Sequence, residues 1–240
     1  MAQRRKGHWA IVVSAGSGAR MGVSVSKGLL KLDDIPLVAF SLQVFQNHEA
    51  IDAICFVVHQ KWLHEYVKVA EAHFIHKVEC IVPGGVSRQE SVFKGLKEIE
   101  KFARRVLIHD GARPFVDINN ISDLLGALRD FPGASLGYPI TDTLKRCDDD
   151  DVIREEVSRL GLMGMQTPQA FRFRDIMNAH LEARKRGWRA TDDTSLLTRM
   201  GLPVKVIESS PDNIKITHPA DMYVAELILR KLRKAGTVKM

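Results

Sequence analysis

The chain of 240 residues is short of the features that mark most specialised protein classes. Cysteine is scarce: Cys55, Cys80 and Cys147 lie far apart in sequence, with no CxxC and no histidine beside them at zinc-ligand spacing. Neither a disulfide framework nor a metal knuckle is indicated. There is no uncharged apolar stretch long enough to span a bilayer, no internal repeat and no low-complexity linker, so a membrane partner is not expected. The start, MAQRRKGHWAIVV, joins a basic patch to a short apolar run with no small-residue cleavage site behind it. That disfavours a secretory signal, and the expected location is the cytoplasm. Neither charge sign dominates strongly: 35 Lys and Arg stand against 29 Asp and Glu, a formal charge of +6. The cations are dispersed except at the tails, RRK near residue 5 and RKLRK at 230–234, and no nucleic-acid motif accompanies them. Solvated tails are expected rather than a nucleic-acid partner, and the modest positive field suits a polyanionic small molecule.

What is present is a regular alternation. AIVV at 10–13, AICFVV at 53–58, ECIV at 79–82 and RVLI at 105–108 are short β-branched runs of the kind buried on both sheet faces. Between them Leu63, Val67 and Ala70, then Val92, Leu96, Ile99 and Phe102, recur at helical spacing. Strand-helix alternation of this kind predicts one α/β domain over residues 1–240, with a doubly wound, mostly parallel sheet. From about residue 134 the rhythm changes: ASLGYPI, DTLKR and DVIREEV are short extended pieces around the turn CDDDD. This predicts an excursion from the sheet, a β-arm over about 138–166. The four aspartates read as a solvated turn, since adjacent carboxylates on an extended chain cannot all face one ion. A helix over 173–185, strands at 203–207 and 213–217, and a last helix burying Met222, Ala225, Leu229 and Leu232 complete the pattern.

The loop SAGSGARMGVSVSKGLL at 14–30 follows directly on the first strand, the carboxyl edge where open α/β sheets bind ligands. Glycines there present backbone N–H groups to phosphate oxygens. The pattern is neither GxGxxG, since Met21 holds the third position, nor a Walker loop. Arg20 and Lys27 bring two cations to a loop already rich in N–H donors, which suits a triphosphate undergoing chemistry; two solvated basic residues are the plainer alternative. HDGARP at 109–114 places Asp110 and Arg113 on the same edge, where an aspartate can hold Mg2+ or a substrate hydroxyl and an arginine can pair with phosphate. PGGVSRQES at 83–91 reads as a polar cradle or as a turn with a helix N-cap. Lys215, in the apolar run DNIKIT, is either at an exposed sheet edge or paired with an anion for function.

Taken together, AGSGARM with Lys27, GGxxRxxS, HDGARP, DTLKR, QTPQAF, ATDD and DNIKIT, in that order along nearly the whole chain, resemble the 2-C-methyl-D-erythritol 4-phosphate cytidylyltransferase family. The resemblance implies a Rossmann-like nucleotidyltransferase sheet, CTP and a polyol phosphate as substrates, Mg2+ or another divalent cation, and a homodimer with exchanged β-arms. It implies that Arg20, Lys27, Arg159 and Lys215 act in catalysis, and that Ser14, Ala15, Gly16, Gly18, Gly85 and Ser91 frame the nucleotide. Asp110, Arg113, Thr143 and Thr191 are implied at the substrate, with Asp110 also a metal candidate and Thr143 and Arg159 reaching in from the partner. His109 is expected to be structural, because the reaction asks for no proton from it. Ribitol 5-phosphate cytidylyltransferase shares several of these features and is the alternative; a nicotinamide-dependent oxidoreductase or a silent nucleotide-binding module is the reading from another class. The chain departs from the family around the loop: Ser14 stands for a usual alanine, and Ser26-Lys27-Gly28 for a usual PKQ. Losing the proline and gaining Gly28 is expected to loosen the loop. Val86 replaces a usual acidic residue in the base-binding turn, leaving recognition there to backbone groups.

Overall fold

The computed structural model describes residues 6–16 and 25–236, so Gly18 and Arg20 lie outside the described residues. In chain order the elements are β1 (Gly7–Ser14), β2 (Lys31–Leu32), β3 (Ile35–Pro36), α1 (Leu37–Asn47), β4 (Ala53–Val58), α2 (Leu63–Ala72), β5 (Val78–Pro83), α3 (Arg88–Ile99), β6 (Ala103–Asp110), α4 (Ile118–Ala127), β7 (Gly133–Pro139), β8 (Leu144–Cys147), β9 (Ile153–Val157), β10 (Met163–Arg172), α5 (Phe173–Arg186), α6 (Thr194–Arg199), β11 (Val204–Glu208) and α7 (Ala220–Lys234). A seven-stranded sheet in the order β11-β7-β10-β6-β1-β4-β5 forms the centre, and β10 alone runs antiparallel to its neighbours.

Alternation along the strands divides the core into two layers, since successive side chains leave opposite faces. In β1, Ala10 and Val12 join α1, α2 and α4 on one face, while Trp9 and Ile11 join α3, α5 and α6 on the other. Every residue of β4 is buried, the pattern of a strand covered twice. A third, smaller cluster packs Ala225, Ile228 and Leu229 of α7 against Leu32, Leu37, Phe40 and Phe115. Among the described residues no helix is long and apolar enough to cross a membrane. Cys55 and Cys80, distant in sequence, are register partners on β4 and β5.

Two sequence expectations need correction. ASLGYP is no excursion: it forms β7, buried between β10 and β11. Its small residues are what the packing demands, because a Cβ at Gly133 would meet Leu197 at 2.8 Å and one at Gly137 would meet Val206 at 3.1 Å. NIKIT at 213–217 pairs with no strand; this extended segment is held to the strand edge by the Ile216 N–H, which donates to the Ala112 carbonyl at 2.9 Å, with Ile216 buried. The departure from the sheet begins after Pro139, where β8 and β9 form a separate two-stranded antiparallel hairpin. Its turn is closed by Asp148, whose carboxylate accepts from the Asp150 and Val152 amides and pairs with Arg154.

Candidate active site

A cavity of about 660 Å3 opens at the carboxyl ends of β1, β5 and β6, a size suited to a nucleotide. Ser14, Ala15 and Gly16 leave β1 on one side of it. Gly84 and Gly85, following β5, face them, and the two turns come so close that a Cβ on Gly84 would stand 2.3 Å from the Ala15 Cβ. Glycine at 84 is therefore a packing requirement. The same PGGVSRQES turn also caps α3: Ser87 Oγ accepts from the Glu90 amide at 3.1 Å, and the Glu90 carboxylate reaches back to the Val86 amide at 3.0 Å. Ser91 Oγ accepts from the Gly85 amide at 3.0 Å and donates to the Ser87 carbonyl at 2.8 Å, so its first duty is to shape the cradle. Cradle and N-cap are one device.

The floor is a chain of buried charges. Asp110, at the end of β6, receives Lys215 Nζ at 2.6 Å on one oxygen and Arg88 Nε at 2.8 Å on the other. Arg88 continues through Nη1 to Asp193 at 2.7 Å, and Asp193 in turn meets His180 Nε2 at 3.1 Å. Burial by itself raises the Asp110 carboxyl, but Arg88 and Lys215 outweigh it and hold the pKa far below the usual carboxylate range. Asp193 is lowered in the same way, with Arg88 and His180 overcoming its burial. Both groups are anions at any working pH.

Lys215 arrives at this floor on the segment without a ladder, and a polar plug explains how. The β7–β10 ladder is interrupted between Met165 and Gln169, across the QTPQ run. Asn213 fills the gap: its Nδ2 donates to Gln166 Oε1 at 3.1 Å and to the Thr167 carbonyl at 3.0 Å, while its carbonyl accepts from Arg113 at 2.7 Å. Arg113 is thereby committed to backbone carbonyls, Asn213 and Met165, and burial lowers its pKa. His109 is wholly buried between the Arg113 carbonyl at 3.1 Å and Thr167 Oγ1 at 3.0 Å. The Arg113 carbonyl can only accept, so Nε2 carries the proton of the neutral ring, and Nδ1 accepts from the Thr167 hydroxyl, whose oxygen accepts in turn from the Asp110 amide. Burial drives its pKa down to about 4.

Of the residues singled out from sequence, Ser14, Ala15, Gly16, Lys27, Gly85, Ser91, Asp110 and Lys215 line one cavity. Arg113, Thr143, Arg159 and Thr191 do not line it, and the last three are exposed. Arg159 bonds the Thr141 carbonyl at the base of the hairpin. Lys94 also lines the cavity without any sequence signal to mark it; it donates to the Gly84 carbonyl at 2.9 Å. Arg88 is a second such residue, although it stands inside the quoted GGxxRxxS pattern. Its signal lies in Asp110 and Asp193, which are 22 and 105 residues away.

The comparisons with known proteins agree. The family model for 2-C-methyl-D-erythritol 4-phosphate cytidylyltransferase matches residues 8–231. A curated relative of that name from Pelotomaculum thermopropionicum is 38% identical over 232 residues, covering 95% of this chain and 98% of its own. One from Shouchella clausii is 41% identical over 222 residues, covering 92% and 96%. Among solved structures, the 4-diphosphocytidyl-2C-methyl-D-erythritol synthase of Anaerococcus prevotii superposes with a TM-score of 0.83 at 28% identity, covering 94% of this chain and 96% of that one. The 2-C-methyl-D-erythritol 4-phosphate cytidylyltransferase of Thermus thermophilus gives 0.74 at 26% identity, covering 95% and 100%. With its sheet order, its paired glycine turns and its Asp110-centred charges, the chain belongs to the 2-C-methyl-D-erythritol 4-phosphate cytidylyltransferase family.

Proposed function

We propose that the protein transfers a cytidylyl group from CTP to 2-C-methyl-D-erythritol 4-phosphate, giving 4-diphosphocytidyl-2-C-methyl-D-erythritol and pyrophosphate. The observation that carries this reading is the cavity in which the glycine turns at 14–16 and 84–85 lie together with Lys27 and Lys215. The substrate phosphate is already an anionic nucleophile. One of its oxygens attacks the α-phosphorus, the bond to the bridging oxygen breaks, and pyrophosphate leaves with the electron pair. No general base is needed, so the work is in-line positioning and charge neutralisation. In this reading the turns hold the base and phosphates, Arg20 and Lys27 hold the triphosphate as charge develops, and Lys215 meets the incoming phosphate.

Asp110 fits a divalent cation of the Mg2+ type in one respect. Its carboxylate is held ionised, and with about four acceptor sites it retains lone pairs beyond those used by Arg88 and Lys215. No group of three or more His, Cys, Asp or Glu able to hold a metal lies among the described residues. Triphosphate oxygens and water would have to complete its shell. Bound there, the cation would neutralise charge on the triphosphate. In this reading Thr143 and Arg159 serve a partner's cavity, since they do not line that of their own chain. The exposed Ile153, Leu160 and Leu162 give the hairpin an apolar surface suited to a second copy.

The test is to incubate the pure protein with CTP, Mg2+ and either methylerythritol phosphate or ribitol 5-phosphate while measuring pyrophosphate. Release is expected with the first alcohol and CTP, well ahead of ATP or GTP, because the small-residue cradle leaves room for a pyrimidine. Faster release with ribitol phosphate, or equal use of a purine triphosphate, overturns the reading.

A further inference from the structure

Tyr66 on α2 is fully buried against Ser14 and Gly28, two residues that line the cavity, and nothing in the chemistry above uses its hydroxyl. Its Oη lies 2.9 Å from Ser14 Oγ, 2.7 Å from Ser26 Oγ and 3.2 Å from the Ser14 carbonyl, and Gly28 packs against it so closely that a Cβ there would stand 2.8 Å away. Ser26 Oγ donates to the Gly16 carbonyl at 3.2 Å. Each hydroxyl has one proton to give. Tyr66 has one proton for two acceptors, Ser26 Oγ and the Ser14 carbonyl, while its oxygen can accept from Ser14 Oγ, so the phenol is the centre of a three-hydroxyl relay that ties both serines to one point.

The three departures from the family pattern around the loop, Ser14, Ser26 and Gly28, are the three residues that touch this one phenol oxygen. They are also sterically interlocked. A Cβ at position 28 would stand 2.1 Å from Ser14 Oγ and 2.8 Å from Tyr66 Oη, so the relay exists only because residue 28 has no side chain. From sequence, Gly28 and the lost proline are expected to loosen this region. The structure instead supplies a tie where the proline is missing.

We propose that Tyr66 is a positioning residue: through Ser14 and Ser26, with Gly28 closed against its hydroxyl, it fixes the turn at 14–16 against the segment bearing Lys27, so that both face the nucleotide triphosphate together. This rests on the nucleotide reading of the cavity, and the test separates the two. The first readout needs no ligand. In the free protein, Tyr66→Phe is expected to raise the rate of tryptic cleavage after Lys27 about tenfold, the equivalent of one buried hydrogen bond left unmade. The second is calorimetric CTP affinity and steady-state kinetics. Affinity for CTP is expected to weaken about tenfold, with the KM for the alcohol phosphate within about twofold of native, a split that general loss of fold does not produce. Ser26→Ala, which removes no bulk, is expected to do the same to a smaller degree and decides the matter if Tyr66→Phe fails to fold. Gly28→Ala breaks the relay by intrusion, so Tyr66→Phe combined with Gly28→Ala is expected to lose no more CTP affinity than the worse single variant. Native cleavage rates in folded Tyr66→Phe, native CTP affinity, or additive losses in the double variant each overturn the proposal. Failure of the native protein itself to bind CTP counts against the nucleotide reading, and the cleavage rates still judge the tie.

Discussion

At the scale of single residues, the cavity separates side chains aimed at a ligand from those that hold the aim. In the proposed reading Lys27, which lines the cavity, is of the first kind. Its replacement by alanine leaves no large void, and Lys27→Ala is expected to lower turnover on the order of 100-fold with the melting temperature nearly unchanged. A large melting shift with near-native turnover assigns it to structure instead. Arg88 is of the second kind, because it stands between two buried aspartates. Arg88→Met leaves Asp110 and Asp193 short of a cation in low dielectric, which costs about 3–5 kcal/mol and is expected to lower the melting temperature by roughly 10 °C. A calorimetric midpoint within roughly 2 °C of native refutes this. Legibility follows the same division. Ser14, Gly85, Asp110 and Lys215 can be picked from sequence because glycine-rich turns and out-of-place charges announce themselves locally. Arg88 and Tyr66 cannot, since a lone arginine at a helix start reads as solvated and a tyrosine among apolar helix positions reads as core.

At the scale of elements, the sequence is clearest where one strand type meets one helix type. The runs that form β1, β4, β5 and β6 stand out because burial on both faces requires unbroken apolar stretches. Strand β7 is misread because its small residues, chosen by close neighbours, carry little hydrophobic signal. Strand β10 does not read as a strand because Pro168 normally excludes a central position. The ladder tolerates it because pairing with β7 is already broken between Met165 and Gln169. The hairpin of β8 and β9 is expected from sequence, and its proposed role as an exchanged arm has a direct test. Inactive Lys27→Ala subunits mixed with inactive Arg159→Ala subunits are expected to recover up to about a quarter of native activity. Random exchange makes about half the dimers hybrid, and each hybrid places both lesions in one site and none in the other. A mixture that stays inactive after subunit exchange is confirmed by mass spectrometry places Arg159 within its own chain.

At the scale of the whole molecule, the buried ionisable groups set how stability responds to acid. The unfolded chain takes up a proton on His109 near pH 6.5, whereas the folded state refuses it until about pH 4. Stability is therefore lost as pH falls through that window, by roughly 3 kcal/mol in total. Asp110, Asp192 and Asp193, all lowered in the folded state, add a second loss that begins only below about pH 4, where the unfolded carboxylates protonate. His109→Gln, which keeps a donor for the Arg113 carbonyl, is expected to flatten the decline in melting temperature between about pH 6.5 and 4.5 and to leave the steeper acid limb in place. An unchanged slope in the variant means other groups govern that window.

The pairing of β7 with β10 carries a consequence for how such a chain can change. Pro139 pairs directly with Met163, and the Ile140 amide bonds the Leu162 carbonyl at 3.2 Å, so the stem closes before the excursion begins. Residues 141–161 are then a cassette spliced into the bend of an ordinary hairpin. Cutting them out and closing the gap with a short turn is expected to leave a sheet that still melts cooperatively, as circular dichroism can follow. The excursion proposed to meet a second subunit can thus lengthen, shorten or drift in sequence independently of the strands that frame the cavity.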